Sequence, residues 1–207
     1  MRKYSFILIL VFLPLGLFAQ INDYLEDDPQ PTIKNHRGLA YSLLETGSGL
    51  GFFYELPVQS FFHLGLGFDA FMLRDRNEIN YSDIFGNPRT YGKENNVFLF
   101  DLMFTVKKRL FVEQVDDSFR PFITAAVGPV FGMNFPEIDR TVEGVKREDE
   151  FRWTGAAIIG AGLDADVDGK YFFGFRTQYR FMPFAKQLGE RKDHSMIDIR
   201  LEIGQRF

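Results

Sequence analysis

The sequence predicts an all-β protein, an eight-stranded antiparallel up-and-down transmembrane β-barrel that occupies residues 36–207. In the stretch 194–207, HSMIDIRLEIGQRF, apolar and charged side chains fall on opposite parities, which is typical of a strand with one apolar face. Composition agrees, because 25 Phe and 19 Gly accompany a mean hydropathy of only -0.13, as in barrels whose apolar residues alternate with polar ones. Short connections also alternate with long ones along the chain.

The first 35 residues are predicted to lie outside the barrel. Arg2 and Lys3 precede an apolar stretch at 6–18, and Ala19 is a small residue suited to cleavage, so residues 1–19 are predicted to be a secretory signal peptide. A membrane anchor is the alternative, but about 14 apolar residues are short for a spanning helix, which needs about 20. Residues 20–35 are acidic and lack periodicity, and we expect a flexible periplasmic tail.

Eight stretches alternate clearly enough to be predicted as strands. They cover residues 37–46, 49–56, 61–76, 95–110, 119–134, 151–166, 171–184 and 194–207. Their lengths are near or above the roughly 9–11 residues that a tilted strand needs to cross a bilayer. Short connections are predicted at 57–60, 111–118 and 167–170, and long loops at 77–94, 135–150 and 185–193. This arrangement brings both termini to the periplasm.

Three points along the predicted strands are irregular. The first two strands are hinged at 47–49, Gly-Ser-Gly, and one long strand through this hinge is the alternative. Pro121 and Pro129 share the outward parity of one strand, where proline requires a bulge or a free N–H position. Asp168 and Gly169 form a two-residue hairpin signal.

The two parities of the predicted strands differ sharply in polarity. One is rich in Phe, Leu and Ile, and the other in Gly and charge; because lipid cannot solvate charge, the charged parity is predicted to face the lumen. The inward acids are Glu55, Asp69, Asp75, Asp101, Asp164, Asp166, Asp198 and Glu202, and the inward bases are Lys107, Arg109, Arg120, Arg152, Arg176, Arg180, Arg200 and Arg206. An eight-stranded barrel is narrow enough for side chains to fill, so we expect these charges to pair and plug it. The predicted charge network comprises Asp69, Asp101, Arg120, Arg152, Asp164, Arg176, Arg180, Asp198, Arg200 and Glu202.

Residues 36–207 resemble the small eight-stranded outer-membrane proteins of the OmpA-barrel, OmpX, OmpW and opacity-protein type. The most specific element is the stretch 197–207, IDIRLEIGQRF, with Gly204 near its end and Phe207 last. The resemblance implies an outer-membrane location, and it implies that Ile203, Gly204 and Phe207 belong to a signal read by the barrel-assembly machinery. It implies no particular activity, since barrels of this kind include adhesins, enzymes and small-solute channels.

Few residues are placed to support chemistry. His194 and Ser195 are adjacent, but neighbours on a strand point to opposite faces, so both are predicted to be polar residues at a loop edge. Asp164 and Asp166 share the lumen face and are predicted to pair with arginines there. The chain has no Cys, which excludes disulfides and Cys-type metal sites, and its net charge of -4 argues against a nucleic-acid partner. We expect no cofactor and no metal.

The sequence therefore predicts a non-enzymatic outer-membrane barrel, structural or surface-interacting through its extracellular loops, with the lipid bilayer as its main partner. Two alternatives stay open. A channel for small or hydrophobic solutes requires an open lumen or a lateral gap, for example beside Pro121 and Pro129. A lipid A-modifying enzyme requires a nucleophile, a base and an acid that converge.

Overall fold

The computed structural model describes residues 34–59, 61–74, 79–91, 95–111, 118–136, 148–189 and 191–207. The predicted signal peptide, nearly all of the predicted tail, and Asp75 lie outside the described residues. Among the residues that are described, no helix is long and apolar enough to cross a membrane.

The described part of the chain contains twelve strands. They are β1 (His36–Leu44), β2 (Gly47–Gln59), β3 (Phe62–Leu73), β4 (Ile79–Ser82), β5 (Pro88–Tyr91), β6 (Val97–Arg109), β7 (Phe119–Asn134), β8 (Glu150–Asp166), β9 (Tyr171–Phe181), β10 (Pro183–Leu188), β11 (Arg191–Asp193) and β12 (Met196–Arg206). Eight of them close into one barrel in the order β1–β12–β9–β8–β7–β6–β3–β2, and every neighbouring pair is antiparallel. This confirms the predicted eight-stranded barrel.

The other four strands form two hairpins, β4–β5 and β10–β11, which the sequence did not predict. The first lies inside the predicted loop 77–94. The second replaces the predicted loop 185–193 and also takes the end of the predicted strand 171–184, because the barrel strand β9 ends at Phe181. Pro183 begins β10, and its missing N–H prevents it from continuing the β9 ladder as a donor.

The barrel is closed by pairing between its first and last strands. Cα partners run without a break from His36 opposite Arg206 to Leu44 opposite Asp198. Beyond them, the backbone N–H groups of Asn35 and Phe207 each donate to the carbonyl of the other residue at 3.0 Å. Closure leaves no free sheet edge in the barrel. We call the end that holds these residues the terminal end, and the opposite end, which carries both hairpins, the loop end.

The turn between β1 and β2 differs from the prediction. The first two strands are separate, but the turn is at 45–46 and not at the glycine-rich hinge 47–49. Gly47 and Gly49 belong to β2, where a Cβ would lie 2.1 Å from the Met72 carbonyl oxygen and 2.3 Å from Cδ1 of Phe71. These glycines therefore permit close packing of β2 on β3. The alternation pattern alone does not show whether such a glycine lies in a strand or in a turn.

The outer wall of the barrel is apolar around its whole circumference. Exposed large hydrophobic side chains occur on every barrel strand, among them Leu39, Phe52, Leu66, Phe104, Ile123, Ile159, Phe173 and Ile203. Soluble monomers rarely expose continuous apolar surface on this scale, so the wall is suited to contact with lipid acyl chains. The inward parity of the strands carries the charged residues, as the alternation predicts.

The β6–β7 pair is irregular at Pro129 but stays closed. The ladder lacks the pairs between Asp101–Val130 and Phe104–Val127, while the register is the same on both sides. A Cβ on Gly128 would lie only 1.9 Å from the Leu102 carbonyl oxygen, so the two backbones are in close contact there. The predicted irregularity is present, but the strands do not separate into a lateral gap at this point.

Candidate functional site

The lumen contains two layers of different chemistry. The layer that extends from mid-barrel to the terminal end is charged. The charged group nearest the loop end surrounds Arg180, which is fully buried. Arg180 forms an ion pair with Asp101 and donates to Asp198 Oδ2 at 3.2 Å. Gln178 donates to the same Asp198 oxygen at 2.6 Å. The guanidinium carbon of Arg180 lies 4.6 Å from the ring centre of Phe71. This contact is the boundary between the charged layer and the layer nearer the loop end.

A second group of charges surrounds Arg200 and Arg176. Arg200 donates to Asp69 Oδ1 at 2.6 Å and to Glu202 Oε1 at 2.9 Å. Arg176 forms an ion pair with the same Glu202 carboxylate. This second group crosses the lumen between three strands, because its side chains lie on the inward parity of β3, β9 and β12.

Nearer the terminal end, Lys107 forms ion pairs with two carboxylates of the charged layer. Its Nζ atom lies 2.6 Å from Asp164 Oδ2, 3.3 Å from Glu55 Oε2 and 4.1 Å from the ring centre of Phe122. His36 Nδ1 approaches the same Glu55 oxygen at 3.4 Å. The alternation pattern placed Lys107 and Glu55 in the lumen, but the pair was not part of the predicted network. Nothing in the local sequence signals it.

The two ends of the predicted network have different surroundings. At the terminal end, Arg120 Nη2 lies 3.6 Å from Asp166 Oδ2, and Arg206 forms an ion pair with the same oxygen. At the loop end, Arg152 donates to the Phe151 carbonyl oxygen at 3.0 Å, and β8 places it far along the strand from the other predicted members. Seven predicted network residues lie in the groups around Arg180 and Arg200. Of the other three, Asp164 pairs with Lys107, Arg120 lies near Asp166, and Arg152 lies at the loop end.

A cavity of about 20 Å³ lies within the charged layer, lined in part by Glu55, Asp69, Arg176 and Arg200. This volume suits about one water molecule. Gly67 faces it and has space for a Cβ, with only the Phe52 carbonyl oxygen within 4 Å, at 3.8 Å.

The layer nearer the loop end is apolar, which the sequence did not predict. Its buried members are Phe71, Leu73, Val97, Leu99, Met103, Ala126, Val130, Ala156, Ile158, Met182, Phe184, Leu188 and Met196. Phe184 and Leu188 come from the β10–β11 hairpin, which folds inward over the mouth, and they are 5% and 0% exposed. Of these two residues, Leu188 comes from the predicted loop 185–193 and Phe184 from the end of the predicted strand 171–184.

A few polar contacts tie the hairpin to the barrel rim. Gly189 N donates to Glu150 Oε2 at 2.6 Å, and Thr154 Oγ1 donates to the Pro183 carbonyl oxygen. His194 is 4% exposed, and its Nε2 donates to the Leu188 carbonyl oxygen at 3.1 Å. Burial lowers the pKa of His194 below its usual value, and the hydrogen bond to Leu188 opposes this only in part. His194 is therefore neutral at pH 7.

Ser195 and Asp193 form a local turn beside His194. Ser195 Oγ donates to Asp193 Oδ1 at 2.5 Å and accepts a hydrogen bond from Met182 N at 2.9 Å. The hydrogen bonds that Asp193 accepts from the Ser195 side chain and from the Ser195 backbone N–H hold the pKa of Asp193 below its usual range. His194 and Ser195 each bond to other groups of the hairpin and its hinge. Within the described residues, no group of three His, Asp or Glu side chains is arranged to hold a metal ion.

The predicted assembly residues lie at the terminal end of β12. The Phe207 ring lies 6.2 Å from the Tyr54 ring and 4.6 Å from the Arg37 guanidinium carbon. Gly204 faces the lumen, where a Cβ would lie 2.3 Å from Cε1 of Phe172, and Ile203 faces outward. Gly204 therefore has a packing role that is independent of any signal.

The fold is shared with solved outer-membrane barrels, although sequence similarity is low. No protein-family model and no curated protein matches the chain. The structure is similar to OprG from Pseudomonas aeruginosa, with a TM-score of 0.55 and 11% identity over 86% of this chain and 97% of that one. It is similar to the amino-terminal barrel of OprF from the same organism, with a TM-score of 0.53 and 13% identity over 84% and 97%. For Neisserial surface protein A the values are 0.52 and 7%, over 86% and 98%. At these identities the likeness shows the fold, that of small eight-stranded outer-membrane barrels.

Proposed function

We propose that the chain is a non-enzymatic outer-membrane protein with a closed lumen, which acts at the cell surface through its loop end. The observation that carries this proposal is that ion pairs cross one layer of the lumen, while Phe184 and Leu188 of the β10–β11 hairpin are buried in the other. The shared fold and the apolar outer wall support the membrane location. The terminal end then faces the periplasm and the loop end faces outward.

The β4–β5 hairpin supports a role at the surface. Asp83 accepts hydrogen bonds from the backbone N–H groups of Phe85 and Asn87, each at 2.9 Å, and these bonds define the tip. Ile84 and Phe85 at this tip are 94% and 81% exposed. A defined turn that presents two large apolar side chains to solvent is suited to contact with another molecule.

Planar-bilayer recordings test the closed lumen. We expect the purified protein to conduct far less than a porin, because ion pairs between long side chains cross the lumen in the charged layer. Arg176→Ala is expected to raise the conductance, since it removes a long side chain beside the 20 Å³ cavity and leaves Glu202 with Arg200 alone. Lys108→Ala, on the outer wall, is the control and is expected to leave the conductance unchanged. Large stable channels from the unaltered protein would rule out the closed lumen.

The non-enzymatic part of the proposal has a separate test. Lipid A from cells with and without the gene is compared by mass spectrometry, and identical profiles are expected. The His194 and Ser195 side chains bond to the Leu188 carbonyl and to Asp193, so they do not form a nucleophile–base pair with each other. A change in lipid A that disappears in Ser195→Ala would establish an enzyme in place of a surface protein.

A further inference from the structure

We propose that the loop-end half of the lumen is a binding cup for a small uncharged apolar molecule, and that the β10–β11 hairpin occupies this cup as a tethered substitute for it. This inference goes beyond the proposed surface function and does not depend on it. A cup that is open only to the outside is compatible with a lumen that does not conduct.

The cup has apolar walls and a charged floor. Leu99, Val130 and Ile158 contribute to the wall, and each is buried. The floor is the layer in which Arg180 pairs with Asp101 and Asp198. A molecule that enters from the loop end therefore stops at mid-barrel. Below the rim, which carries Arg152 and Glu150, the described wall residues are apolar. A charged ligand there would lose its hydration without compensation, so the site favours uncharged apolar compounds.

The walls are shaped around the two inserted side chains of the hairpin. Gly132 on β7 has no side chain at the place where Leu188 enters: a Cβ there would lie 2.4 Å from Leu188 Cδ2 and 3.2 Å from Phe184 Cζ. The ring of His194 packs edge-on against Phe184 with centroids 5.4 Å apart. The cup thus accepts about the bulk of one phenyl and one isobutyl group, and this sets the size of the ligand that could replace them.

The attachment of the hairpin is weak compared with that of the barrel strands. Between the described residues of β10 and β11 there are two Cα pairs, Pro183 with Asp193 and Leu188 with Arg191, and the register shifts between them. By contrast, nine consecutive pairs join β1 to β12. The hairpin is held by burial of Phe184 and Leu188 and by a few hydrogen bonds at the rim, such as that from Gly189 N to Glu150 Oε2. An apolar ligand supplies contacts of the same kind, so it can displace the hairpin without leaving the wall unfilled.

Photolabelling tests the cup in the full-length protein in lipid nanodiscs. The probe is 3-trifluoromethyl-3-phenyldiazirine, a small uncharged apolar compound, and labelled peptides are located by mass spectrometry. Peptides from the outer wall report partition of the probe into lipid and serve as the internal reference. We expect labels on cup residues such as Leu99 and Val130 in the unaltered protein. In Phe184→Ala/Leu188→Ala we expect at least a tenfold increase relative to the outer wall, because the competing side chains are gone.

Three controls make the outcome decisive. Lys186→Ala changes an exposed side chain of the same hairpin and is expected to leave the labelling as it is in the unaltered protein. Ala156→Phe fills the cup from its wall and is expected to abolish cup labelling. A carboxylate-bearing form of the probe is expected not to label the cup. Heat-modifiability gels confirm that each variant is folded.

The opposite results would overturn the proposal. Absence of cup labels in folded Phe184→Ala/Leu188→Ala would show that the apolar layer is not a ligand site. Cup labels in that variant but none in the unaltered protein would show that the hairpin is a permanent plug. Labels that persist in folded Ala156→Phe would show that the probe reaches these peptides from the lipid side.

Discussion

Lys107 lies between two buried carboxylates, so its loss is expected to destabilise the barrel strongly. Lys107→Met removes the cation between Glu55 and Asp164 and leaves two carboxylates buried in the lumen without it. Breaking a buried ion pair by removing one partner costs about 3–5 kcal/mol. We expect a loss of that order in the free energy of unfolding, measured by urea titration of the protein refolded in lipid vesicles.

The adjacent lysine provides the matched control for this prediction. Lys108 is exposed on the outer parity, so Lys108→Met removes the same charge and volume outside the lumen and is expected to change stability little. Lys107→Met/Asp164→Asn removes one orphaned charge as well and is expected to recover part of the loss. Similar effects of Lys107→Met and Lys108→Met would contradict the role assigned to the buried pair.

Residue parity on the barrel wall gives a second prediction. Leu66→Arg places a cation near the middle of the lipid-facing wall, where arginine costs about 2–4 kcal/mol, so membrane insertion should be strongly reduced. Gly67→Ser points into the lumen, where a Cβ has space, and should be tolerated. The measurement is the yield of heat-modifiable protein in the outer-membrane fraction. Equal yields from the two variants would mean that the inward and outward faces are assigned wrongly.

The sequence was sufficient to predict which residues face the lumen, but it was not sufficient to predict which of them form ion pairs with each other. The alternation of apolar and charged residues is local, so it placed Lys107, Glu55 and Asp164 on the lumen side. Lys107 and Glu55, however, are 52 positions apart in the chain, and their contact depends on barrel register and closure. The same limit explains why Arg152 was grouped with a network from which its position on β8 separates it.

At the scale of elements, the β10–β11 hairpin is expected to loosen in mild acid. The pKa of His194 is lowered in the folded hairpin by burial, so protonation favours the detached state. The stabilisation is fully present above the ordinary histidine pKa of about 6.5 and is lost as the pH falls below it. Arg191 opposes a positive His194, whereas Asp193 and the Leu188 carbonyl favour it, and the balance is a lowered pKa.

Amide hydrogen exchange measures this loosening directly. Between pH 7.5 and pH 5, after correction for intrinsic exchange rates, protection of the hairpin amides should fall while protection of β12 stays constant. His194→Gln retains a side-chain donor for the Leu188 carbonyl and does not titrate, so its hairpin protection should not depend on pH over this range. A pH effect of the same size in His194→Gln would assign the change to another group.

The two hairpins were not predictable for different physical reasons. In β10 only a few residues alternate before the register shift, which is too short a run for a periodicity to emerge. In β4–β5 each strand has only four residues, and Gly86 and Pro88 between and within them are typical of turns, so the stretch is predicted to be a loop. The inward fold of β10–β11 depends on Gly132, a residue of β7 that is distant in the sequence.

At the scale of the whole molecule, the fold was predictable because a membrane barrel must satisfy two strong constraints. Every backbone polar group needs a partner within the sheet, and each strand must expose one apolar face. The number of strands and the lipid-facing residues of each strand can therefore be predicted from the alternation pattern. The content of the lumen is constrained only by volume and polarity. Ion pairs and apolar side chains can each fill it, and the chain uses one in each half.

The last prediction concerns closure of the barrel by β12. Phe207 is 48% exposed and contacts Tyr54 and Arg37 at the terminal end, so its ring contributes less than the roughly 1.5–3 kcal/mol of a fully buried Phe. If Phe207 is also part of an assembly signal, its loss should impair biogenesis more than stability. We therefore expect Phe207→Ala, which keeps the backbone bonds to Asn35, to reduce outer-membrane yield in cells several-fold while the refolded protein remains heat-modifiable.

Phe173→Ala is the matched control, because Phe173 is 42% exposed on the outer wall and is not part of the predicted signal. A similar fall in yield for both variants would indicate a general requirement for outer-wall aromatics, and a normal yield for Phe207→Ala would remove the ring from the assembly signal.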